Sequence, residues 1–294
     1  MKKLFITLLI TLSVYASFHL LNTTYVSIEK IYVINLDRST QRYAHIQKTL
    51  DSMELPVKYS RFSAIDGRKI RFTNKSTGEI LTGKEILEKE ILLNGSFTAE
   101  CSNNNVIEFN TSLDYYNPRL VGELGVSCSH KLIWEDIVNK GYKNALILED
   151  DVIFGHDFDK SLAIATNNVP KDYDLLFLQH GNMGKAFKSE IQNEFLRTFM
   201  SFFDQHVKNP FWKQARKNIY AVQADIISKA GAEKLLKCQH KYSSGEFLVI
   251  DVVVSKCIED KAMIAYAAAP KLAFSNLTPS YKSDIAELGK YLEE

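Results

Sequence analysis

The sequence predicts an α/β protein with a mostly parallel central sheet flanked by helices. Its first predicted strand, residues 30–36, is a β-rich apolar run typical of a strand buried on both faces. The chain then predicts a helix over residues 41–53 and a second strand over residues 57–62. A strand, a helix and a strand in succession favour parallel pairing with a right-handed crossover. This opening unit and the buried strands that follow it set the predicted fold class.

The later elements continue the same alternation. Residues 68–121 are polar and rich in asparagine, and they predict irregular structure apart from a short helix over residues 84–93. A long helix over residues 123–140 is stopped by Gly141 and leads to a buried strand over residues 145–148. The remaining predicted elements are strands over residues 175–178, 221–227 and 264–268, and a helix capped by Ser228 that ends near residue 237.

The composition is that of an ordinary globular domain of enzyme size. Hydrophobic residues make up 46% of the 294 and charged residues 24%, which argues against a disordered chain, a collagen-like rod or a multipass membrane protein. Lys and Arg number 36 against 35 Asp and Glu. Because no basic excess exists, we expect no nucleic-acid partner.

The first 28 residues predict a signal peptide or membrane anchor followed by a connector, with the folded domain over residues 29–294. Lys2 and Lys3 precede an apolar run, residues 4–21, that is about 27 Å long as a helix at ~1.5 Å per residue. That length is just short of a bilayer core of ~30 Å. A cleaved signal, an uncleaved anchor and a buried core helix all remain open. We expect membrane contact through this segment and a membrane-associated or secretory-pathway location, with the side of the membrane undecided.

The four cysteines predict neither a disulfide framework nor a zinc site. They stand at positions 101, 128, 238 and 257, too few and too dispersed for the cysteine pattern of a small disulfide-rich domain. No CxxC pair occurs, and structural zinc sites usually contain one.

The strongest chemical signal is the acidic triplet Glu149, Asp150 and Asp151 directly after the predicted strand 145–148. In open α/β sheets, ligands bind at the carboxyl ends of the strands. Three adjacent carboxylates repel one another unless a cation compensates. Glu149 and Asp151 have the E-x-D spacing that directs alternate side chains to one side, and their oxygens suit Mg²⁺ or Mn²⁺ shared with a diphosphate. The alternative interpretation is a surface acidic turn before a helix cap.

A polar stripe lies inside the apolar face of the long predicted helix. At about 100° per residue, Ser127 and His130 fall within roughly 40° of Glu123. Buried polar groups need partners, and a carboxylate and a histidine can serve each other. An internal hydrogen-bond network and the wall of a substrate cleft are both open as interpretations.

Several of these stretches, taken in order, resemble glycosyltransferase family 25. The resemblance spans residues 29–270, and one departure is Val249, where the family usually has proline. The matching stretches are IYVINLDR (31–38) with Arg42, AIDG (64–67), GELG (122–125) with Ser129 and His130, ALILEDD (145–151), YAVQA (220–224), GAEKLL (231–236), and Ile250 with Asp251.

The resemblance implies a GT-A-like nucleotide-sugar transferase over residues 29–294. Its donor would be a UDP-hexose, with galactose first, and its acceptor a glycan, a lipooligosaccharide or a glycoprotein. It implies Mn²⁺ (or Mg²⁺) at Glu149 and Asp151 against the donor diphosphate. The donor would contact residues at the end of the first strand and beside the acidic triplet, namely Asn35, Leu36, Asp37, Arg38, Arg42 and Asp150.

An inverting sugar transfer needs one base on the acceptor hydroxyl. Asp251 is the first candidate, and His130 and Glu123 are the alternatives; as a structural residue Asp251 would be the N-cap of a helix over residues 252–258. Two other classes of function stay open. One is a metal-dependent nucleotidyl- or phosphotransferase that uses the same acidic edge, and the other is a non-catalytic carbohydrate-binding or effector protein.

Overall fold

The computed structural model describes residues 23–102, 105–111, 117–179, 211–215, 222–243 and 249–275. Its strands, in chain order, are β1 (Thr23–Thr24), β2 (Lys30–Asn35), β3 (Tyr59–Ser63), β4 (Arg71–Asn74), β5 (Ile80–Thr82), β6 (Gly95–Ser102), β7 (Asn105–Thr111), β8 (Asn144–Glu149), β9 (Val152–Phe154), β10 (Val169–Pro170), β11 (Leu175–Phe177), β12 (Trp212–Gln214), β13 (Ala224–Ser228), β14 (Ala265–Ala268) and β15 (Ala273–Ser275). Its helices are α1 (Thr40–Asp51), α2 (Gly83–Glu88), α3 (Asn117–Lys140), α4 (Phe158–Thr166), α5 (Lys229–Ser243) and α6 (Ile250–Glu259).

The main sheet has seven strands in the order β12-β14-β11-β13-β8-β2-β3. Three neighbouring pairs are parallel, namely β2 with β3, β2 with β8, and β11 with β14. β13 runs antiparallel to both β8 and β11, and β12 runs antiparallel to β14. The α/β class is confirmed, and five of the seven strands run in one direction, with β12 and β13 opposed to them. The two reversed strands were not predicted, because an apolar run predicts burial without predicting strand direction.

The two faces of this sheet bury separate apolar layers, as the two-residue period of a strand requires. On β8, Ala145 and Ile147 pack under α3, α5 and α6 with Trp134. Leu146 and Leu148 face the other way, towards the layer formed with α1 and α4. The strand is therefore buried on both faces, as its sequence predicts.

A second, four-stranded sheet in the order β5-β4-β6-β7 lies within residues 71–111. The expectation of irregular structure over residues 68–121 is wrong. In β6 every second residue is buried, including Phe97 and Ala99, and the buried face packs on α3 through Leu124. In β6 the polar residues Thr98 and Glu100 occupy the positions between the buried ones. Helix α2 is the predicted short helix, and it ends at Glu88 instead of residue 93.

Two disulfides tie helices to their neighbours, which settles the pairing of the cysteines that the sequence leaves open. Cys101–Cys128 joins β6 to α3, with Cα atoms 5.2 Å apart, and Cys238–Cys257 joins α5 to α6, with Cα atoms 5.8 Å apart. The partners are 27 and 19 residues apart in the chain. Such wide spacing leaves no local motif from which the pairing could be read.

The long helix α3 begins six residues before the predicted start and ends at Lys140 as predicted. Ser228 caps α5 as predicted, since its hydroxyl accepts the Gly231 N–H at 3.0 Å, but the helix continues to Ser243. The predicted signal or anchor, residues 4–21, lies outside the described residues. Within the described ranges, no helix combines the length and the apolar character needed to cross a bilayer.

Candidate functional site

The candidate site lies where the carboxyl ends of β2, β3 and β8 meet the amino-terminal end of β13. Parallel strands place their carboxyl ends at one edge, and β13 contributes its start there because it runs the opposite way. Helix α6 begins beside the same edge. The acidic triplet, the end of the first strand and Asp251 are thus brought together from distant parts of the chain.

Asp150 fastens the end of β8 to the end of β2. It is buried and accepts a 2.6 Å hydrogen bond from Asn35 Nδ2. Arg42 of α1 forms an ion pair with Asp150 and lies 3.2 Å from an oxygen of Asp151. Charge-assisted bonds of this kind are short and directional. Asn35, Arg42 and Asp150 therefore form a buried polar joint that fixes the direction of the acidic triplet.

Glu149 contacts His130 instead of an arginine. Its Oε1 is 3.2 Å from His130 Nε2, and the histidine is fully buried. Burial lowers the pKa of His130 to about 4, although the charge of Asp251 opposes this. The contact at neutral pH is therefore a hydrogen bond to a neutral imidazole. Burial raises the pKa of Glu149 well above its usual value, and the carboxylates of Asp151 and Asp251 raise it further.

The polar residues of the stripe on α3 contact different parts of the protein. Glu123 is buried and accepts a 2.7 Å bond from Arg119 Nε one helical turn earlier, so it does not pair with His130. The expected Glu123–His130 partnership is wrong, because His130 contacts Glu149 of β8 instead. The Ser127 carbonyl faces Gln239 of α5 at 3.4 Å. Of the stripe, only His130 joins the acidic edge.

Asp251 lies in the first turn of α6, but it does not cap that helix. The N-cap position is Val249, and the Asp251 Oδ1 accepts the Val222 N–H at 3.0 Å. The capping interpretation is therefore wrong, and the side chain instead holds the chain that enters β13. Its charge influences the pKa of both His130 and Glu149, which places the three groups in one cluster.

Asp225 belongs to the same cluster and was not predicted from the sequence. It is 1% exposed on β13, and among the described residues neither of its oxygens has a hydrogen-bonding partner. Burial raises its pKa well above the usual value, and the charges of Asp251 and Glu149 add to that rise. The available signal was an aspartate in the middle of the apolar stretch AVQADII, where an acid is out of place.

Two adjoining cavities open at this edge, of about 100 Å³ and 450 Å³. The smaller is lined by residues of the acidic triplet, by Arg42 and by Asn35 and Leu36; the larger is lined by Asp37, Arg68, Lys69 and Cys101. Arg38 and residues 64–66 line both. The larger volume is in the usual range for small-molecule sites. Glu123 lines neither cavity.

Charged pairs hold the wall between these cavities. Arg38 Nη1 lies 2.5 Å from Asp66 Oδ2, and Arg68 binds the same carboxylate at 2.8 Å. Asp37 accepts bonds from Arg61 at 2.7 Å and Ser63 at 2.8 Å. These bonds lower the pKa of Asp37. The predicted donor residues are thus grouped at one opening.

Glycines in the AIDG and GELG stretches allow this wall to form. A Cβ on Gly67 would lie 1.9 Å from the Val121 carbonyl oxygen, and one on Gly125 would lie 2.7 Å from the Ile65 oxygen. Ser129 fixes the same contact, because its hydroxyl accepts the Ile65 N–H at 2.9 Å. Only glycine permits so close an approach of two backbones.

The acidic edge fits a divalent cation held by two carboxylates. Across the part of the chain that is described, no group of three or more His, Cys, Asp or Glu side chains could hold a metal ion. Mg²⁺ and similar hard cations are, however, often bound by one or two carboxylates together with substrate phosphates and water. Glu149 and Asp151 keep 22% and 18% of their side chains exposed at the cavity, which suits that mode.

Comparison with known proteins decides the family. The family model described as "Glycosyltransferase family 25 (LPS biosynthesis protein)" matches residues 28–254. The chain belongs to glycosyltransferase family 25. This confirms the resemblance that the sequence motifs carry.

Individual family 25 relatives are distant. Procollagen galactosyltransferase 2 of Homo sapiens is 24% identical over 160 residues, which cover 53% of this chain and 21% of that protein. Procollagen galactosyltransferase 1 of Danio rerio is 27% identical, with 58% and 24% covered. A protein named "Probable inactive glycosyltransferase 25 family member 3" of Rattus norvegicus is 28% identical, with 51% and 22% covered. The chain thus spans less than a quarter of the length of these relatives.

Proposed function

We propose that this chain is a GT-A-type glycosyltransferase that moves a hexose, galactose first, from a UDP-sugar to a hydroxyl group of a glycan, a lipooligosaccharide or a glycoprotein. The observation that carries the proposal is the meeting of two cavity-facing carboxylates, Glu149 and Asp151, with Arg42 and two adjoining cavities at one edge of the sheet. Family membership and the names of the galactosyltransferase relatives support it.

The larger cavity suits the nucleoside of the donor and the smaller one its diphosphate. Arg38 lines both cavities, and Arg42 lies beside the acidic triplet, so either guanidinium can reach a phosphate oxygen with its forked donors. Glu149 and Asp151 would hold Mn²⁺ or Mg²⁺, which when bound offsets the charge that develops on the departing UDP. Ligating carboxylates must be ionised, so cation binding is expected to release protons from Glu149.

Asp251 is the base that the geometry favours. In an inverting transfer, the acceptor hydroxyl passes its proton to the Asp251 carboxylate while its oxygen attacks the sugar carbon and UDP departs from the opposite face. The Val222 N–H orients that carboxylate. His130 is less suited as the base because it is fully buried and its Nε2 faces Glu149. Glu123 is less suited because its carboxylate is already paired with Arg119 one helical turn earlier.

A panel of nucleotide sugars with Mn²⁺, each with lipooligosaccharide and glycoprotein acceptors, tests the proposal. We expect UDP release that depends on both the cation and the acceptor. Release of pyrophosphate would instead identify a nucleotidyltransferase. Binding of UDP or glycan without turnover would identify a non-catalytic family member, a class to which the name of the rat relative points.

We infer that the domain works in an oxidising compartment and contacts a membrane through its N-terminal segment. All four cysteines are paired and buried, whereas cytosolic reductants keep thiols reduced. The apolar run at residues 4–21 supports the same location. Thiol labelling of the unreduced, denatured full chain taken from its own cells is expected to find no free cysteine. Four free thiols would contradict this location.

A further inference from the structure

The segment that joins the apolar run at residues 4–21 to the folded domain is very short. Only Asn22 stands between Leu21 and the first residue of β1. Two steps of extended chain span at most about 7 Å. When the apolar run is held in a bilayer, β1 therefore lies at the headgroup region, which is roughly 5–7 Å deep on each side of the hydrocarbon core.

Hydrogen bonds fasten the residues after β1 to the domain, so these residues do not act as a linker. The Val26 N–H donates to the Thr166 carbonyl, at the end of α4, at 2.8 Å. The Glu29 N–H donates to the Asn144 carbonyl, at the start of β8, at 2.9 Å. The chain thus enters the fold at a fixed place formed by β1, β10 and the last turn of α4, which we call the entry corner.

The entry corner lies at the edge of the main sheet opposite the candidate site. Asn144 is the first residue of β8, whereas the acidic triplet begins at the last residue of that strand. β2 likewise begins at Lys30, beside Asn144, and ends at Asn35 in the site. Five steps of about 3.3 Å place Asn35 roughly 17 Å from Lys30. Helix α4 runs between the same two edges, because it follows β9 and ends at Thr166.

Two large apolar side chains are exposed at the entry corner. Tyr25 is 63% exposed directly before Val26, and Ile164 is 50% exposed in the last turn of α4. Tyrosine is typical of the membrane interface, where its ring contacts lipid and its hydroxyl stays in water. A bilayer next to β1 offers both side chains an apolar surrounding and so draws this corner, instead of the site edge, towards the lipid.

We propose that the domain rests on the membrane by its entry corner, with the candidate site directed away from the bilayer and open to a soluble glycoprotein acceptor. The inference rests on the proposed transferase activity and on the proposed membrane contact of residues 4–21. The site edge stands roughly 17 Å or more from the lipid surface. A sugar that a lipid carries next to the bilayer does not reach the cavities at that height, whereas a soluble glycoprotein reaches them from the aqueous side.

Two labels near the ends of α4 test this orientation without turnover. Ile164→Cys lies at the entry corner, and His156→Cys lies on the other side of the helix start, where His156 is almost fully exposed. The four native cysteines are paired, so an added thiol can carry a fluorophore in the unreduced protein. The full chain is placed in phosphatidylcholine vesicles in which some lipid carries a headgroup nitroxide. Quenching should be strong for the label of Ile164→Cys and weak for that of His156→Cys.

The two labels are matched, because both are exposed and belong to the same helical segment. Equal quenching of the two, or stronger quenching of His156→Cys, would overturn the orientation. A chain that alkaline carbonate washes from the vesicles would show that residues 4–21 are not an anchor. In that case the proposed membrane contact fails, and this inference fails with it.

A longer tether tests the acceptor class. A Gly/Ser segment of about 20 residues, inserted between Asn22 and Thr23, has a typical end-to-end length of about 25 Å and lets the domain turn its site to the bilayer. Transfer to a soluble glycoprotein should stay unchanged. Transfer to a lipid-linked glycan in the same vesicles should rise roughly 10-fold, since tethering gives a high effective concentration once the geometry permits contact.

No rise after the insertion, or equal use of both acceptors by the wild type, would overturn the assignment of a soluble acceptor. If the wild type releases no UDP from any donor, the proposed transferase activity fails, and the acceptor assignment fails with it. Quenching of the two labels then decides the orientation of the domain by itself.

Discussion

Asp150 and Asp151 are adjacent in the chain but have different surroundings. Asp150 is buried against Asn35 and Arg42, whereas Asp151 lies at the cavity with 18% of its side chain exposed. The E-x-D spacing identified Glu149 and Asp151 as the pair that shares one side. Asp150 has a structural role because Arg42 of α1 reaches it. The sequence alone does not show that α1 lies beside the end of β8.

Asp151→Asn should abolish cation-dependent donor turnover without loss of the fold. Removing one of two anionic oxygen ligands weakens the cation that would hold the diphosphate, and we expect a loss of roughly 10²-fold or more at limiting Mn²⁺. Kinetics over a Mn²⁺ series, with a thermal melt of the same preparation, make the measurement.

Asp150→Asn is the control for that experiment. It removes the more buried of the two carboxylates that Arg42 contacts and should lower the free energy of unfolding by about 1–3 kcal/mol. Wild-type activity of Asp151→Asn at limiting Mn²⁺ would show that the metal assignment is wrong.

Asp251→Asn separates base chemistry from structure. The asparagine Oδ1 can still accept the Val222 N–H, but it cannot accept a proton at neutral pH. Sugar transfer should fall by roughly 10²-fold or more, the usual scale for a general base, with UDP affinity nearly unchanged. Transfer kinetics on a competent acceptor and calorimetric UDP binding provide the comparison.

Glu259→Gln, an exposed acid at the other end of α6, is the control and should leave transfer unchanged. Full transfer by Asp251→Asn would move the base to His130. Loss of stability and of UDP binding together would make Asp251 a structural residue.

At the scale of elements, the spacing of apolar residues and the local composition predicted most of the main sheet. The buried strands β2, β8 and β11 were found because each is an apolar run bounded by polar residues. The second sheet was missed because its strands expose polar residues at every second position and bury only the others. The antiparallel direction of β13 was also missed, and with it Asp225, since a strand that runs the other way offers its first residues to the site.

The two disulfides brace different parts of the site. Cys101 lines the larger cavity and is tied to Cys128 on α3, whereas Cys257 lies on α6, the helix that carries Asp251. Replacing either pair by alanine should lower the free energy of unfolding by about 3 kcal/mol. Loss of the first pair should weaken UDP binding, and loss of the second should reduce transfer more than UDP binding.

Denaturant unfolding, UDP calorimetry and transfer kinetics on the two double variants test this division. Each double variant serves as the control for the other. If the two double variants weaken UDP binding equally, the disulfides do not act on separate parts of the site. Unchanged unfolding of both would show that the bonds do not form in the native protein.

At the scale of the whole molecule, the site lies where the main sheet changes strand direction. β3, β2 and β8 are parallel and end at the donor cavities, and β13 is the first antiparallel neighbour beside them. The strand order also reverses at β2, because the chain goes from β2 to β3 on one side and later to β8 on the other. Ligand sites in open α/β sheets commonly lie in the crevice at such a reversal. The proposed donor site therefore lies at the ends of the parallel strands, and the proposed base, Asp251 of α6, lies beside the segment that enters β13.

The N-terminal boundary gives a prediction for the whole chain. Residues 23–28 were expected to be a connector, yet β1 pairs with β10, and Val26 and Ile28 are each only 3% exposed. The Val26 N–H also donates to the Thr166 carbonyl at 2.8 Å. Burying two such side chains contributes about 3–6 kcal/mol. Deleting residues 1–22 should therefore leave the unfolding midpoint in urea unchanged, whereas deleting residues 1–28 should lower it markedly.

Val26→Ala in the shorter deletion is the matched control, because it removes one of these contacts and keeps the backbone of β1; its midpoint should fall between those of the two deletions. Calorimetric UDP binding shows whether the site survives each change, since Asn35 at the end of β2 lies only seven residues beyond Ile28. If the chain without residues 1–22 is insoluble or unfolded, the apolar run at residues 4–21 belongs to the core and is neither a signal nor an anchor. If both deletions unfold at the wild-type midpoint, residues 23–28 contribute nothing to stability despite their burial.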